Sequence, residues 1–133
     1  DPAAERELLA GADRRDMVAS LNPCMEPGEL IELQRAVREV HAAEALIAYV
    51  QALAEHTRRS PDYEAGLSPR AALALLRAAR AWALIDRRDL VLPEDIQAVL
   101  PAVARHRLHA ANGAPNASSA DIAAALIAAV PLP

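Results

Sequence analysis

The sequence predicts an all-α fold, a helical bundle with an additional docked C-terminal helix, and three observations carry that prediction. Apolar residues make up 53% of the chain, yet Phe is absent and aromatic residues amount to 2%, so the interior has to be filled by Leu, Ile, Val and Ala. Alanine has the best helix propensity and β-branched residues are sparse, which favours helix over sheet. Successive segments also space apolar residues three and four apart and are bounded by capping residues, Pro or Gly. A length of 133 residues suits one domain with a single core. The bundle is expected over about residues 1–110, with a linker and the last helix over 111–133.

The first helix is complete in itself: Asp1 is the N-cap, Pro2 the first helical residue and Gly11 the stop. Residues 12–26, with Arg14-Arg15-Asp16 and Asn22-Pro23, lack sustained periodicity and read as a loop with one short turn. Glu26-Pro27-Gly28 opens the second helix, where Leu30, Leu33, Val37 and Val40 share one side and Glu29, Glu32, Arg35 and Glu39 face water, the pattern of an amphipathic packing helix. The third starts near His41 or Ala42, with a stripe of Leu46, Val50, Leu53 and Thr57 widened by Ile47 and Ala54. Residues 59–67 cluster Pro, Asp and Gly as a surface loop.

Ser68 is then an N-cap and Pro69 the first residue of a fourth helix that runs to about Asp86. Leu73, Leu75, Leu76, Ala79, Trp82, Ala83 and Leu84 make it apolar nearly all round, as expected of a central helix. Pro93-Glu94-Asp95 opens a fifth, with Ile96, Val99 and Leu100 inward, and Pro101 should weaken or end it before a separate turn over 102–109. Ser118 and Asp121 form a capping-box-like start for the last helix, whose stripe is Ile122, Leu126 and Val130.

The formal charge is −4 and all 14 basic residues are arginine. Net acidity with few aromatics argues against nucleic acid as a partner, because such binders carry a clustered positive excess. The single Cys24 cannot form an internal disulfide and reads as a small buried hydrophobe. No apolar run approaches the roughly 20 residues that span a bilayer, and no signal-peptide pattern opens the chain. No membrane association and a cytoplasmic location are the expectation.

The chemistry in the chain is sparse. A phosphate-cradling loop ends in Gly-Lys-Ser/Thr, and a chain without Lys has none. No nucleophile elbow or His-Glu-x-x-His occurs, so no catalytic residue is expected here. His106 and His109 lie three apart, the weakest form of a metal-ligand spacing, with no third ligand indicated, and no metal site is expected. His41 and His56 read as edge or capping residues.

Ser68-Pro69-Arg70 is the informative site. Arg70 in the first turn faces the positive end of the helix macrodipole, a placement unfavourable by up to about 1 kcal/mol that an external anion would reverse. The unpaired N–H groups of that turn point the same way, so Arg70 and the helix end together could hold a phosphate. The commoner arrangement of such an arginine is a solvated pair with an acid such as Asp62 or Glu64.

The stretch from His56 to Leu108 resembles the C-terminal part of MoxR-family AAA+ ATPases. The resemblance rests on Thr57-Arg58, on Gly66 to Ala71, on Arg88 to Asp95 and on His106-Arg107, in that order, and the two ends of the chain look similar as well. It implies a lid domain of AAA+ type and assigns Arg70, with Ser68 and Pro69, as the sensor-2 element that reaches nucleotide phosphates, with Arg58 and Arg77 as secondary basic contacts. It also implies ATP and Mg2+ in the full-length parent and none bound to the isolated lid. The implied partners are an N-terminal nucleotide-binding domain, neighbouring subunits of a ring and a von Willebrand factor A domain protein.

The implied function is coupling of ATP turnover to chaperone-like remodelling or cofactor insertion, with the fragment alone inactive. Leu67, Asp86 and Leu92 depart from the family pattern, where a small residue, a glycine and a hydroxyl N-cap are usual. The missing cap at Leu92 should weaken the fifth helix start by roughly 1 kcal/mol. Two other readings stand beside the lid: an independent helical interaction module, and a DNA-binding helix-turn-helix over Arg87 to Leu100, disfavoured by Asp86, Asp89, Glu94 and Asp95 around its basic residues.

Overall fold

The computed structural model describes residues 1–11, 14–109, 111 and 119–132, without the side chains of Leu8, Arg14 and Ser119. The helices are α1 (Pro2–Ala10), α2 (Arg14–Ala19), α3 (Pro27–Glu39), α4 (Glu44–Arg59), α5 (Pro69–Ile85), α6 (Pro93–Ala104) and α7 (Ser119–Ala129). No strand occurs among the described residues, so the all-α class holds. The expected Ser118 cap of the last helix lies outside them.

The chain divides into two units, Asp1–Ile31 and Glu32–Pro133. In the first, the Asp1 carboxylate accepts the Ala3 N–H at 3.0 Å and caps α1 as its sequence predicts. At the start of α3 the Glu29 carboxylate accepts the Glu26 N–H at 2.8 Å, which satisfies a donor that the helix cannot. Two expectations fail here. Residues 14–19 form a helix instead of one turn in a loop, and Cys24 is exposed, not buried. Leu9, Met17, Val18 and Leu21 are exposed as well.

The second unit holds the core, whose fully buried members include Leu53 of α4, Leu75 of α5, Ile96 and Leu100 of α6, and Leu126 of α7. Helix α5 packs on α4 and α6, and α7 docks on α6 and α4. The central position of the fourth helix is therefore observed, but only its stripe of Ala71, Leu75, Ala79 and Ala83 is buried. Leu73 and Trp82 stay half exposed, because three alanines on the buried stripe let the neighbouring helices approach that line closely and leave the other faces free.

Helix α3 buries none of its residues. Leu30 and Leu33 are 50% and 44% exposed, against the expected packing face, and only Val40 beyond the helix enters the core. Ile47 likewise faces outward instead of widening the α4 stripe. The start of α4 falls at Glu44, since His41 is held in extended backbone: its N–H donates to Asp89 O at 2.7 Å and its carbonyl accepts the Val91 N–H at 2.9 Å. This bridge ties the α3–α4 link to the α5–α6 link.

The two ends of that α5–α6 link are closed by backbone geometry and charge. After α5, Arg87 adopts φ +59°, the Arg87 N–H donates to Leu84 O and the Arg88 N–H to Ala83 O, both at 2.9 Å. This is a Schellman closure with arginine in the left-handed position that glycine normally fills. It directs Arg88 to Asp95, where two hydrogen bonds of 2.7 and 2.6 Å form, with a third of 3.2 Å to Asp86. Asp95 is buried, and its other service is to accept the Leu92 N–H at 2.7 Å.

Leu92 has no side-chain oxygen and makes no side-chain cap; the Asp95 N–H is met by the Leu92 carbonyl at 3.0 Å, and the Asp95 carboxylate supplies the reciprocal half of a capping box. The hydroxyl cap is thus absent, as its sequence predicts. Pro101 fails to end the helix. It removes one donor near the C-terminal end, while burial of Leu100 and Ala104 on either side holds the last turn, so α6 runs through to Ala104.

Two outcomes follow from the α5–α6 link. Arg87→Gly should relieve the left-handed strain and stabilise the chain by roughly 0.5–1 kcal/mol, after the entropy that glycine adds to the unfolded state, read as a higher Tm. The hydrogen bonds from Arg88, then that from Leu92, hold the Asp95 carboxyl below its ordinary value against the opposing effect of burial. A lowered folded pKa stabilises above the ordinary carboxylate range, and this contribution is lost as pH falls through about 4 and on through the lower folded value. Urea midpoints at pH 7 and pH 3 should therefore differ more in the wild type than in Asp95→Asn.

Candidate functional site

The candidate site is the start of α5, and the residues that place it come from the end of α4. Thr57 is buried and its hydroxyl works in two directions, donating to Ala54 O at 2.8 Å and accepting the Leu67 N–H at 2.9 Å. A hydroxyl can do both at once, whereas the valine of the same shape can do neither. Leu67 follows as a fully buried side chain, a contribution of roughly 2 kcal/mol that anchors the loop to the core. The departure from a small residue at this position is thus accommodated inside the protein.

Gly66 explains the spacing. A Cβ on Gly66 would lie 2.5 Å from both Cα and Cγ of Arg58, so the loop crosses the α4 backbone at a distance that only glycine permits. Arg58 itself is exposed, and its Nε donates back to Ala54 O at 3.1 Å. The remaining loop is fastened at its far side, with the Glu64 N–H on His109 O at 2.9 Å and the Ala111 N–H on Asp62 O at 2.8 Å. Burial, then the Asp62 charge, pushes the Tyr63 hydroxyl pKa up.

From this clamp the chain passes into Ser68, whose Oγ accepts the Ala71 N–H at 3.2 Å, and Pro69 takes the first helical position. Ser68, Pro69 and Arg70 are all exposed. Among the described residues no hydrogen bond or ion pair engages the Arg70 guanidinium. Of the acids expected as ordinary partners, Asp62 accepts the Ser60 hydroxyl at 2.8 Å and neither Asp62 nor Glu64 meets Arg70. The helix behind it carries no acid in its first turn.

The structure thus joins Thr57, Arg58, Gly66, Leu67 and Ser68 in one contact set and presents Arg70 outward from it. Arg77 stands apart, about 10 Å further along the axis by helical rise. It lines a groove with Arg38 and Arg80. Arg88 is engaged elsewhere, by its bonds to Asp95 and Asp86. Among the described residues no three His, Cys, Asp or Glu side chains converge as metal ligands, His106 and His109 included. No described helix is long and apolar enough to cross a membrane.

The residue that sequence reasoning undervalued is Thr57, placed in an apolar stripe. Its signal was a hydroxyl on the inward face ten residues before the loop N–H that it receives. Replacing it by valine should cost about 1–3 kcal/mol, because the Leu67 N–H is left buried and unpaired. Gly66→Ala should destabilise by a similar amount through the contact with the α4 backbone. Thermal melts of both variants check this; unchanged melting temperatures would contradict it.

Residues 55–128 match the family described as the AAA lid domain. The chain is 35% identical to the Bacillus subtilis protein YeaC, over 78% of this chain and 32% of that protein. It is 37% identical to the chaperone MoxR1 of Mycobacterium tuberculosis, over 63% of this chain and 25% of the relative. A solved structure of a candidate ATPase from Cytophaga hutchinsonii superposes with a TM-score of 0.71 at 28% identity, covering 80% of this chain and 36% of that one. The chain therefore spans about a third or less of the relatives it matches. With more than half its length matched, and with the Thr-Arg and Gly-x-Ser-Pro-Arg segments in contact as one unit, the chain belongs to the AAA lid domain family and is a lid of the MoxR type.

Proposed function

We propose that this lid contributes Arg70 as a sensor-2 arginine, reaching phosphates of a nucleotide bound on a preceding domain of the full-length parent. One observation carries the reading: a guanidinium in the first turn of a capped helix, exposed and without an internal partner among the described residues. Its own helix opposes that placement by up to about 1 kcal/mol, a penalty that a phosphate would turn into attraction. Ser68 and Pro69 set the direction of the helix, and Arg58 flanks it from α4 as a secondary contact.

In this reading ATP and Mg2+ belong to the parent, and the metal ligands come from outside this chain. A nucleotide held there supplies the phosphoryl group. Arg70 then stabilises the charge that develops in transfer to water, and the clamp at Thr57 makes the movement of the lid a movement of the arginine. Neighbouring ring subunits and a von Willebrand factor A domain partner remain part of the proposal, as do chaperone-like remodelling or cofactor insertion and a cytoplasmic setting. The exposed apolar side chains of the first unit, Leu9, Met17, Val18 and Leu21, are assigned to contact with the nucleotide-binding domain.

The test is Arg70→Ala in the full-length parent. Positioned charge donors of this kind are worth about 3–4 kcal/mol in the transition state, so turnover should fall about a hundredfold or more. Unchanged turnover together with unchanged nucleotide affinity would remove the assignment and leave a helical interaction module as the better reading.

A further inference from the structure

A second basic feature lies away from Arg70. The groove between α3 and α5 has a volume of about 720 Å³ and is lined by Gln34, Val37 and Arg38 on one wall and Arg77, Arg80 and Ala81 on the other. Arginines from two helices therefore face one space, and no acid lines it. Helix α5 contains no Asp or Glu anywhere in its span, so nothing on it offsets Arg77 and Arg80, which sit three apart as a like-charge pair. No hydrogen bond or ion pair engages Arg38, Arg77 or Arg80 among the described residues, and the Nε of Arg80 is closed off from solvent with no partner. A buried guanidinium N–H left unpaired is the least expected element of this surface.

We propose that this groove is a binding site for a small anion bearing several phosphate charges. Arg38 lines one wall and Arg77 and Arg80 the other, and a phosphate chain offers oxygens and negative charge densely enough to meet all three within one groove. A single carboxylate would neutralise one of them and leave the others facing each other. Gln34 adds a neutral amide to the same wall. The inference is independent of the role proposed for Arg70, which lies two helical turns from Arg77.

Titration of the 133-residue chain with inorganic tripolyphosphate at fixed ionic strength, followed by calorimetry and by amide shifts, tests the site. Saturable binding with shifts at Gln34, Val37 and Ala81 is expected. Arg77→Ala and Arg80→Ala should each weaken it about tenfold or more, the usual consequence of losing one charged hydrogen-bond donor. Arg80→Lys, which keeps the charge and loses the fork, should weaken it too, while Arg59→Ala on α4, outside the groove, should not. Thermal melts of each variant confirm that the fold is intact. No saturable binding, or equal weakening by Arg59→Ala, would each overturn the proposal. Tighter binding of citrate or of a polyglutamate peptide than of tripolyphosphate would overturn the phosphate assignment in favour of a carboxylate-bearing partner.

Discussion

A single buried hydroxyl, that of Thr57, governs how α4 hands over to α5. It holds the Leu67 N–H while giving its own proton to the helix behind it, so the loop can turn inside the protein without stranding a donor. Gly66 lets the chain pass close over Arg58, and Leu67 then fills the core beneath. Only after these three steps does Ser68 cap α5, with Arg70 in the first turn beyond it. The start of α5 is therefore placed by Thr57, Gly66 and Leu67, upstream of the arginine itself.

The other end of α5 is fixed by a different device. A Schellman closure places Arg88, and Arg88 and Asp95 join the end of α5 to the start of α6 while Asp95 also caps α6. One carboxylate serves two jobs, holding Arg88 and accepting the Leu92 N–H. Both ends of α5 are therefore held and its alanine stripe is buried within the second unit. In the proposed reading, such a helix would carry a domain movement to Arg70.

Much of this was legible in the sequence because the relevant physics is local. Caps at Asp1 and Ser68, prolines at the first helical positions and the stripes of α4, α6 and α7 depend on neighbours a few residues away. The failures share the opposite cause. The amphipathic pattern of α3 states that one face is apolar but not what covers it, and in this chain Leu30 and Leu33 are left half exposed. Pro101 was weighed by its lost hydrogen bond alone, whereas burial of its neighbours decided the outcome. Cys24 followed the statistics of its residue type and not its surroundings. For the site, the Ser-Pro-Arg turn was visible, but the dependence on Thr57 joins residues 57 and 67 across a loop, and no periodicity encodes that.

The account stands or falls on whether the start of α5 is held as firmly as the core. Amide hydrogen exchange at Leu67 measures this directly, because its N–H lies in a loop yet is bonded to a buried hydroxyl. The account predicts protection comparable to that of Leu75 and Leu100, with exchange only through global opening. Exchange as fast as that of the exposed loop residues around Glu64 would show that the clamp opens by itself, and that Arg70 is not held in one direction.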